Sequence, residues 1–180
     1  RLSSRGKLAI MDAIDHRTAI TNLDPALRSS LIERKDGPGL LRFGFHLGAI
    51  IVLGTLIALR APFWFLLLPV QGILIVFLFT ALHECIHETA FKSSFLNTAI
   101  SSISGFLILI PPVWFRFFHF SHHRHTHDPA RDPELLTPKP STVIGYVKHV
   151  SGLPLWFSAI RTLLRNATGR GAEDYVPEKA

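Results

Sequence analysis

The sequence contains a single cysteine, Cys85, so it can form no disulfide within the chain and no four-cysteine zinc site. Its first 39 residues are polar and of mixed charge, and they lack the apolar core of a signal peptide. Lysine and arginine form no dense stripe with interleaved aromatic residues, so the net charge of +6 does not indicate nucleic-acid binding. No glycine-rich pattern of a nucleotide-binding or flavin-binding loop is present.

Long apolar runs are what the chain does have. Hydrophobic residues make up 48% of it and are concentrated between Leu40 and Leu82, in two largely apolar runs at 43–59 and 63–82. Since about twenty helical residues cross a hydrocarbon core of ~30 Å, each run can just span a membrane. Only residues 60–62 separate the runs, which therefore predict a transmembrane helical hairpin. Pro69 is expected to kink the second span.

The distribution of basic residues predicts how this hairpin is oriented. Eight lysine and arginine residues precede Phe43, one (Arg60) lies in the connector, and ten follow Leu82. Basic residues concentrate on the cytoplasmic side of membrane proteins. We therefore expect an integral, multi-pass membrane protein with both hairpin ends in the cytoplasm and Arg60 on the opposite side.

Histidines occur in two tight clusters. The first, His83-Glu84-Cys85-Ile86-His87, follows the second span directly, and the second begins about thirty residues later. The histidines of the second cluster are His119, His122, His123, His125 and His127. Neutral imidazole is a common ligand of transition metals, so clusters of this kind indicate a metal centre on the cytoplasmic side.

Helical spacing selects among these histidines. His83 and His87 are four residues apart and project from one face if the second span continues as a helix. At about 100° per residue, His125 points nearly opposite to His119, and His127 is an outer candidate. The residues that share the face of the second cluster are His119, His122 and His123.

Two kinds of metal enzyme fit the first cluster. It matches the zinc-protease pattern His-Glu-x-x-His, in which both histidines bind zinc and the glutamate is the general base. A further zinc ligand could come from Asp128, Asp132 or Glu134. This interpretation leaves the whole second cluster unexplained.

Both clusters together, in this order after a hairpin, resemble the first two histidine boxes of the membrane-bound fatty acid desaturase and hydroxylase superfamily. The stretch Arg131-Asp132-Pro133-Glu134 after the second cluster is also similar, and the resemblance extends from about Leu40 to Glu134. It implies an all-α membrane protein with a transmembrane helical hairpin, interfacial helices and a cytoplasmic histidine-box site.

The resemblance also implies a centre of two non-haem iron ions, with O2 as co-substrate. The implied metal ligands are His83, His87, His119, His122 and His123. Candidates for the groups that surround those ligands are Glu84, His127, Asp128 and Asp132. The implied activity is desaturation of a fatty acyl chain of a membrane lipid, with electrons from a ferredoxin or a cytochrome b5-like protein. Related alternatives are hydroxylation or ketolation of a lipid or carotenoid.

The superfamily has a third histidine box, which these residues lack, so the chain is expected to be the N-terminal half of a longer enzyme. Residues 1–39 are predicted to form a cytoplasmic arm, with turn and linker residues at 36–39, and 40–91 the hairpin with the first box. Residues 92–135 are predicted to form an interfacial segment and the second box. Residues 136–180 are predicted to form an interfacial amphipathic helix, at 155–168, and an exposed tail.

Overall fold

A computed structural model describes residues 16–136, 139–169 and 174–177 of the chain. All regular structure in these ranges is helical. Two of the described helices are long and apolar enough to cross a membrane, one ending at Ala58 and one over Trp64–Ile86. The prediction of an all-α membrane protein is therefore confirmed. The chain divides into two units, Arg1–Lys35 and Asp36–Ala180.

The described part of the first unit consists of two short helices, α1 at His16–Thr21 and α2 at Pro25–Leu31. Pro25 is the first residue of α2. An N–H group at this position would have no acceptor within the helix, so proline costs no helical hydrogen bond there. The Asp24 carboxylate caps this helix by accepting hydrogen bonds from the N–H groups of Ala26 and Leu27.

The second unit contains six α-helices within the described ranges, and a short 3-10 helix at Trp64–Leu66 precedes the second of them. The six are α3 (Asp36–Ala58), α4 (Leu67–Ile86), α5 (Ser94–Leu107), α6 (Pro112–His125), α7 (Val143–Val150) and α8 (Leu153–Ala167). Helices α3 and α4 form the hairpin, and α5 packs along α4.

Residues 36–39 belong to the first turn of α3, so the expectation of turn and linker residues there is wrong. Proline is tolerated in a first helical turn, and a carboxylate is favourable beside the positive end of the helix dipole. Asp36 also accepts a hydrogen bond of 2.9 Å from the N–H of Ser93, the N-cap of α5. At Gly39 a Cβ atom would lie 2.5 Å from the Phe91 ring. Residues 36–39 therefore begin α3 and pack it against the segment that leads into α5.

Pro69 is the third residue of α4. An N–H at this position has no intrahelical acceptor, so the proline removes no helical hydrogen bond. The expected kink is therefore not required, because the regular helix begins later than the apolar run does.

Two side chains hydrogen-bond across the hairpin to backbone carbonyls. The His46 Nε2–H donates to the carbonyl of Leu74 at 2.8 Å, and the Gln71 side-chain amide donates to the carbonyl of Ile50 at 3.1 Å. Interhelical hydrogen bonds of this kind help hold membrane helices together, since lipid tails offer polar groups no partner. His46 is thus hydrogen-bonded within the hairpin.

One face of α4 packs on the turn between α5 and α6. The buried core of this contact consists of Leu78, Leu82, Ile86, Ile108 and Phe115. On the other side of α4, Ile73, Val76 and Phe77 are exposed. A helix that is apolar on all sides suits a membrane span, with one face packed on protein and the other on lipid.

A sharp bend follows α5. Helices α5 and α6 meet at 97°, and by length and composition the pair could form one broken span or a re-entrant loop. At the bend, a Cβ on Gly105 would lie 2.4 Å from the carbonyl oxygen of Ile110. Only glycine allows this approach, which turns α6 back towards the end of α4. The interfacial location expected for residues 92–110 stays a prediction.

Substituting Gly105 with Ala should destabilise the bend, because the added methyl group meets backbone that cannot move aside. Overpacking of this kind costs about 1–3 kcal/mol. The Gly44→Ala variant is the matched control, since a Cβ there meets no described atom within 4 Å. Thermal unfolding of the purified protein in detergent should show a lowered midpoint for G105A alone. Equal midpoints for the two variants would contradict this account of the bend.

Candidate metal centre

Four histidines converge where α4 ends and α6 passes it. They are His83, His87, His119 and His123, and one ring nitrogen from each lies within 4.8 Å of those of the other three. The Nε2 atom of His119 is 3.0 Å from that of His87 and 2.8 Å from that of His123. His119 is buried, at 7% exposure, whereas His123 at the rim is exposed.

Helical register brings these side chains together. Helix α4 extends to Ile86 and His87 is its C-cap, so His83 and His87 lie one turn apart, with ring centroids separated by 4.8 Å. His119 and His123 are likewise one turn apart on α6, at 4.3 Å. The two pairs face each other, with 4.5 Å between the rings of His83 and His119. Each helix thus contributes two histidine nitrogens that could bind a metal.

Aromatic side chains line the side of the cluster that lies towards the membrane-spanning part of α4. Phe115 stacks on His119 with ring centroids 5.3 Å apart, and Phe79 lies 6.2 Å from His83. The two phenylalanines meet each other edge to face at 5.2 Å. The histidines therefore contact apolar rings on this side, which limits the access of water from there.

The electrostatics favour the neutral form of two of these imidazoles, His119 and His87. Burial lowers the pKa of His119 to about 4, and the nearby His83 and His123 lower it further. Burial also lowers the pKa of His87, again with a contribution from His83. Neutral imidazoles carry the lone pairs that a metal requires, so binding an ion here displaces few protons.

The spacing of the nitrogens also fits a metal. Two nitrogens each about 2.1 Å from one ion, at right angles, lie about 3.0 Å apart. The Nε2 pairs joining His119 to His87 and to His123, at 3.0 and 2.8 Å, are close to this value. An all-imidazole set suits iron, zinc, copper or nickel in preference to magnesium or calcium.

Glu84 orients His83. The Nδ1–H of His83 donates to one carboxylate oxygen of Glu84 at 3.0 Å, and the Thr89 hydroxyl donates to the other at 2.8 Å. A carboxylate at Nδ1 fixes the proton there, which leaves Nε2 as the donor to a metal. Glu84 thus holds one predicted ligand and is itself held by Thr89, and its role beside a metal stays a prediction.

His122 lies beside the four-histidine cluster without joining it. Its ring centroid is 6.0 Å from that of His119 and 5.8 Å from that of His123. The Nδ1–H of His122 donates to Asp132 at 2.8 Å, so the Nε2 atom is left for a metal. Its role as a ligand stays a prediction.

Asp132 is fully buried and forms hydrogen bonds with both of its oxygens. Besides His122, it accepts from the backbone N–H of Glu134 at 3.0 Å and of His127 at 3.2 Å. Burial alone would raise the pKa of Asp132, but the hydrogen bonds from His122 and the backbone outweigh burial and lower it. Asp132 is therefore a fixed carboxylate that orients His122.

The remaining candidates lie further from the cluster. Helix α6 ends at His125, so His127 lies in the following loop, where its N–H binds Asp132. Asp128 pairs with Arg131 at 2.7 Å, which holds the pKa of the Asp128 carboxyl below its usual value. His125 lines a cleft with Phe117, away from the other histidines.

Arg116 is a residue of the site that sequence reasoning missed. Its guanidinium donates to the carbonyl of Ile86 at the end of α4, lies 3.6 Å from the Glu88 carboxylate and covers the Phe120 ring at 4.7 Å. Arg116 thus ties α6 to α4 next to His87. The signal was available: a lone cation between aromatic residues, three before His119, needs a partner.

Substitution of Asp132 with Asn should weaken metal binding if His122 is a ligand. An amide in place of the carboxylate no longer holds the proton on Nδ1, and loss of such a partner costs about 10–100-fold in metal affinity. Titration of the purified protein with Co²⁺, followed by visible absorption, measures the change. The control is D128N, because Asp128 pairs with Arg131 and with no histidine. An unchanged affinity in D132N would exclude His122 as a ligand.

The Arg116→Met variant should also bind Co²⁺ about 10–100-fold more weakly, since it leaves the Ile86 carbonyl unpaired and frees α6 from α4. R116K should be intermediate, because lysine keeps the charge but lacks the planar fork of donors. Arg124, exposed on the same helix, gives the matched control R124M. Wild-type affinity in R116M, with helical content unchanged by circular dichroism, would contradict this role.

Comparison with known proteins gives one curated relative, the sn-1 oleoyl-lipid 12-desaturase of Picosynechococcus sp. (strain ATCC 27264 / PCC 7002 / PR-6). The two are 24% identical over 124 residues, which is 63% of this chain and 36% of the relative. The chain thus matches about a third of that protein's length. No solved structure matches the chain.

The sequence profile described as "Fatty acid desaturase" matches residues 59–173. The matched region exceeds half of the chain and includes both histidine clusters, the second span and the bend between α5 and α6. On this match, the chain belongs to the fatty acid desaturase family.

Proposed function

We propose that this chain carries part of the active centre of a membrane-bound, O2-dependent fatty acyl desaturase. The observation that carries the proposal is the meeting of four histidine nitrogens within 4.8 Å at the end of a membrane-spanning helix. The proposed iron ligands are His83, His87, His119, His122 and His123. The convergence of four of these histidines, which could hold a metal ion, and membership of the family both support an oxidoreductase.

Non-haem iron is the proposed metal, with two ions in the complete centre. His122 supports a second ion, because it stands beside the four-histidine group with Nδ1 held by Asp132 and Nε2 left available. Iron and dioxygen together supply the oxidising power needed to remove hydrogen from an unactivated C–H bond. The residues of this chain orient the nitrogens, favour the neutral form of His87 and His119, and place apolar rings on the membrane side.

An acyl chain of a membrane lipid is the proposed substrate. The cluster lies at the end of Trp64–Ile86, above the Phe79 and Phe115 rings, so an apolar chain can reach it from the bilayer. The curated relative is by its name a desaturase of oleoyl lipids, which supports an acyl lipid here. Its positional selectivity is not transferred at 24% identity.

The proposed reaction converts a CH2–CH2 unit into a double bond. Two hydrogen atoms leave the acyl chain, and dioxygen is reduced to two waters with two further electrons and two protons. We propose that a ferredoxin or a cytochrome b5-like protein donates these electrons, since the sequence contains no flavin-binding or nucleotide-binding pattern.

The proposed location of the centre is the cytoplasmic face of the membrane. Eight basic residues precede Phe43 and ten follow Leu82, against one in the connector, which supports this orientation. The organisation into an arm at 1–39, a hairpin with the first box at 40–91, a second-box region at 92–135 and an interfacial end at 136–180 remains part of this proposal.

A zinc protease is the less favoured function. His83-Glu84-x-x-His87 fits that pattern, but His119 and His123 share the same cluster, which a single protease motif does not explain. Glu84, the general base in such a protease, hydrogen-bonds to His83 and Thr89. Membership of the desaturase family also favours iron.

Substitution of His119 with Ala should remove iron and abolish desaturation, because this buried donor contacts both neighbouring histidines. The loss should exceed the about 10–100-fold that removal of an outer partner costs. Iron content is measured in the purified protein, and double bonds are measured in lipid extracts of cells that express it. H125A is the matched control. Zinc in place of iron, or unchanged product in H119A, would overturn the proposed function.

A further inference from the structure

Helices α7 and α8 expose a large apolar surface. Within the described ranges they pack mainly against each other, and neither contains a buried residue. Val143 of α7 is 81% exposed, and Leu153 and Phe157 of α8 are each 72% exposed. In the sequence analysis α8 was expected to lie on the membrane, and α7 was not recognised as a helix.

Most of the exposed apolar side chains of α8 share one face, and Leu155 on the other side is the exception. At about 100° per residue, Leu153, Phe157, Ile160 and Leu164 lie within an arc of about 60°. Arg161 lies beside this arc, and Ser158 and Thr162 lie on the far side. In α7 the exposed Val143, Ile144 and Val147 adjoin one another, and Lys148 lies one turn after Ile144. Such helices lie in the plane of a membrane interface.

The charge of this region has one sign. Residues 139–169 contain four basic side chains, Lys139, Lys148, Arg161 and Arg165, and no aspartate or glutamate. Lys148 and Arg161 are both exposed. A basic border beside an apolar face is complementary to a bilayer surface with anionic head groups. A bilayer with anionic head groups matches the apolar faces and the basic residues at once.

We propose that the α7–α8 pair docks on the membrane surface through its exposed apolar faces and that its basic residues select anionic phospholipids. The apolar faces insert into the bilayer interface, and the basic side chains provide the selectivity for anionic head groups. Each basic residue near an anionic surface shifts the docking equilibrium about fivefold. Lys148 and Arg161 together should therefore contribute about 25-fold.

The test uses the whole protein in lipid nanodiscs. In the W64F/W114F variant Trp156, which belongs to α8, is the only remaining tryptophan. Brominated acyl chains quench its fluorescence when it enters the bilayer. We expect strong quenching in discs with about one third phosphatidylglycerol and weaker quenching in discs of phosphatidylcholine alone.

Charge variants then test selectivity. K148Q/R161Q should lower quenching in anionic discs towards the level seen with phosphatidylcholine, while Lys139 and Arg165 retain part of the selectivity. The matched control K92Q/R124Q removes two exposed charges elsewhere and should leave quenching unchanged. Hydrogen exchange of residues 143–167 in the unsubstituted protein, compared between the same two discs, gives a second readout that needs no tryptophan variant.

Three results would overturn the proposal. Absence of quenching in anionic discs would show that protein, not lipid, covers the apolar faces. Equal quenching in both lipid compositions would remove the selectivity for anionic head groups. An equal effect of K148Q/R161Q and K92Q/R124Q would mean that net charge, and not the basic border of these helices, is responsible.

Discussion

The contact between His87 and His119, with Nε2 atoms 3.0 Å apart, is the one on which the rest of the second unit depends. For it to form, α4 must remain helical to its last apolar turn, and α5 must turn through 97° into α6. Packing of Leu78, Leu82 and Ile86 secures the first condition. Gly105 permits the second, because a side chain there would strike backbone. The packing that forms the membrane-spanning helix and the bend therefore also positions the histidines.

Charge is arranged in layers around this contact. The inner layer consists of imidazoles, and burial favours the neutral form of His119 and His87 among them. The outer layer holds carboxylates, with Glu84 on His83 and Asp132 on His122. Negative charge next to, but not within, the donor set favours a cation without blocking its coordination sites. Arg116 is placed on the reverse side, against the carbonyl end of α4.

Much of this follows from sequence, because periodicity and hydrophobicity are local properties. Both spans could be predicted, and so could the shared faces of His83 with His87 and of His119 with His123. Contacts distant in sequence could not: Asp36 with Ser93, Gly39 with Phe91 and Arg116 with Ile86 each join helices whose relative placement the sequence does not state. Residues 36–39 contain turn-forming types, yet tertiary packing makes them helical. Helix α7 has only eight residues, which is too few for a helical repeat of apolar residues to be recognised in the sequence.

The two histidine pairs lie on segments 32 residues apart, as measured from His87 to His119. An ion held by both pairs therefore acts as a cross-link that closes the loop containing all of α5 and the bend. Closing a loop of this length lowers the conformational entropy of the unfolded chain. The folded arrangement of α4, α5 and α6 is stabilised as a result. A metal ion bound by both pairs would therefore also stabilise the packing of these helices, and its removal would weaken that packing.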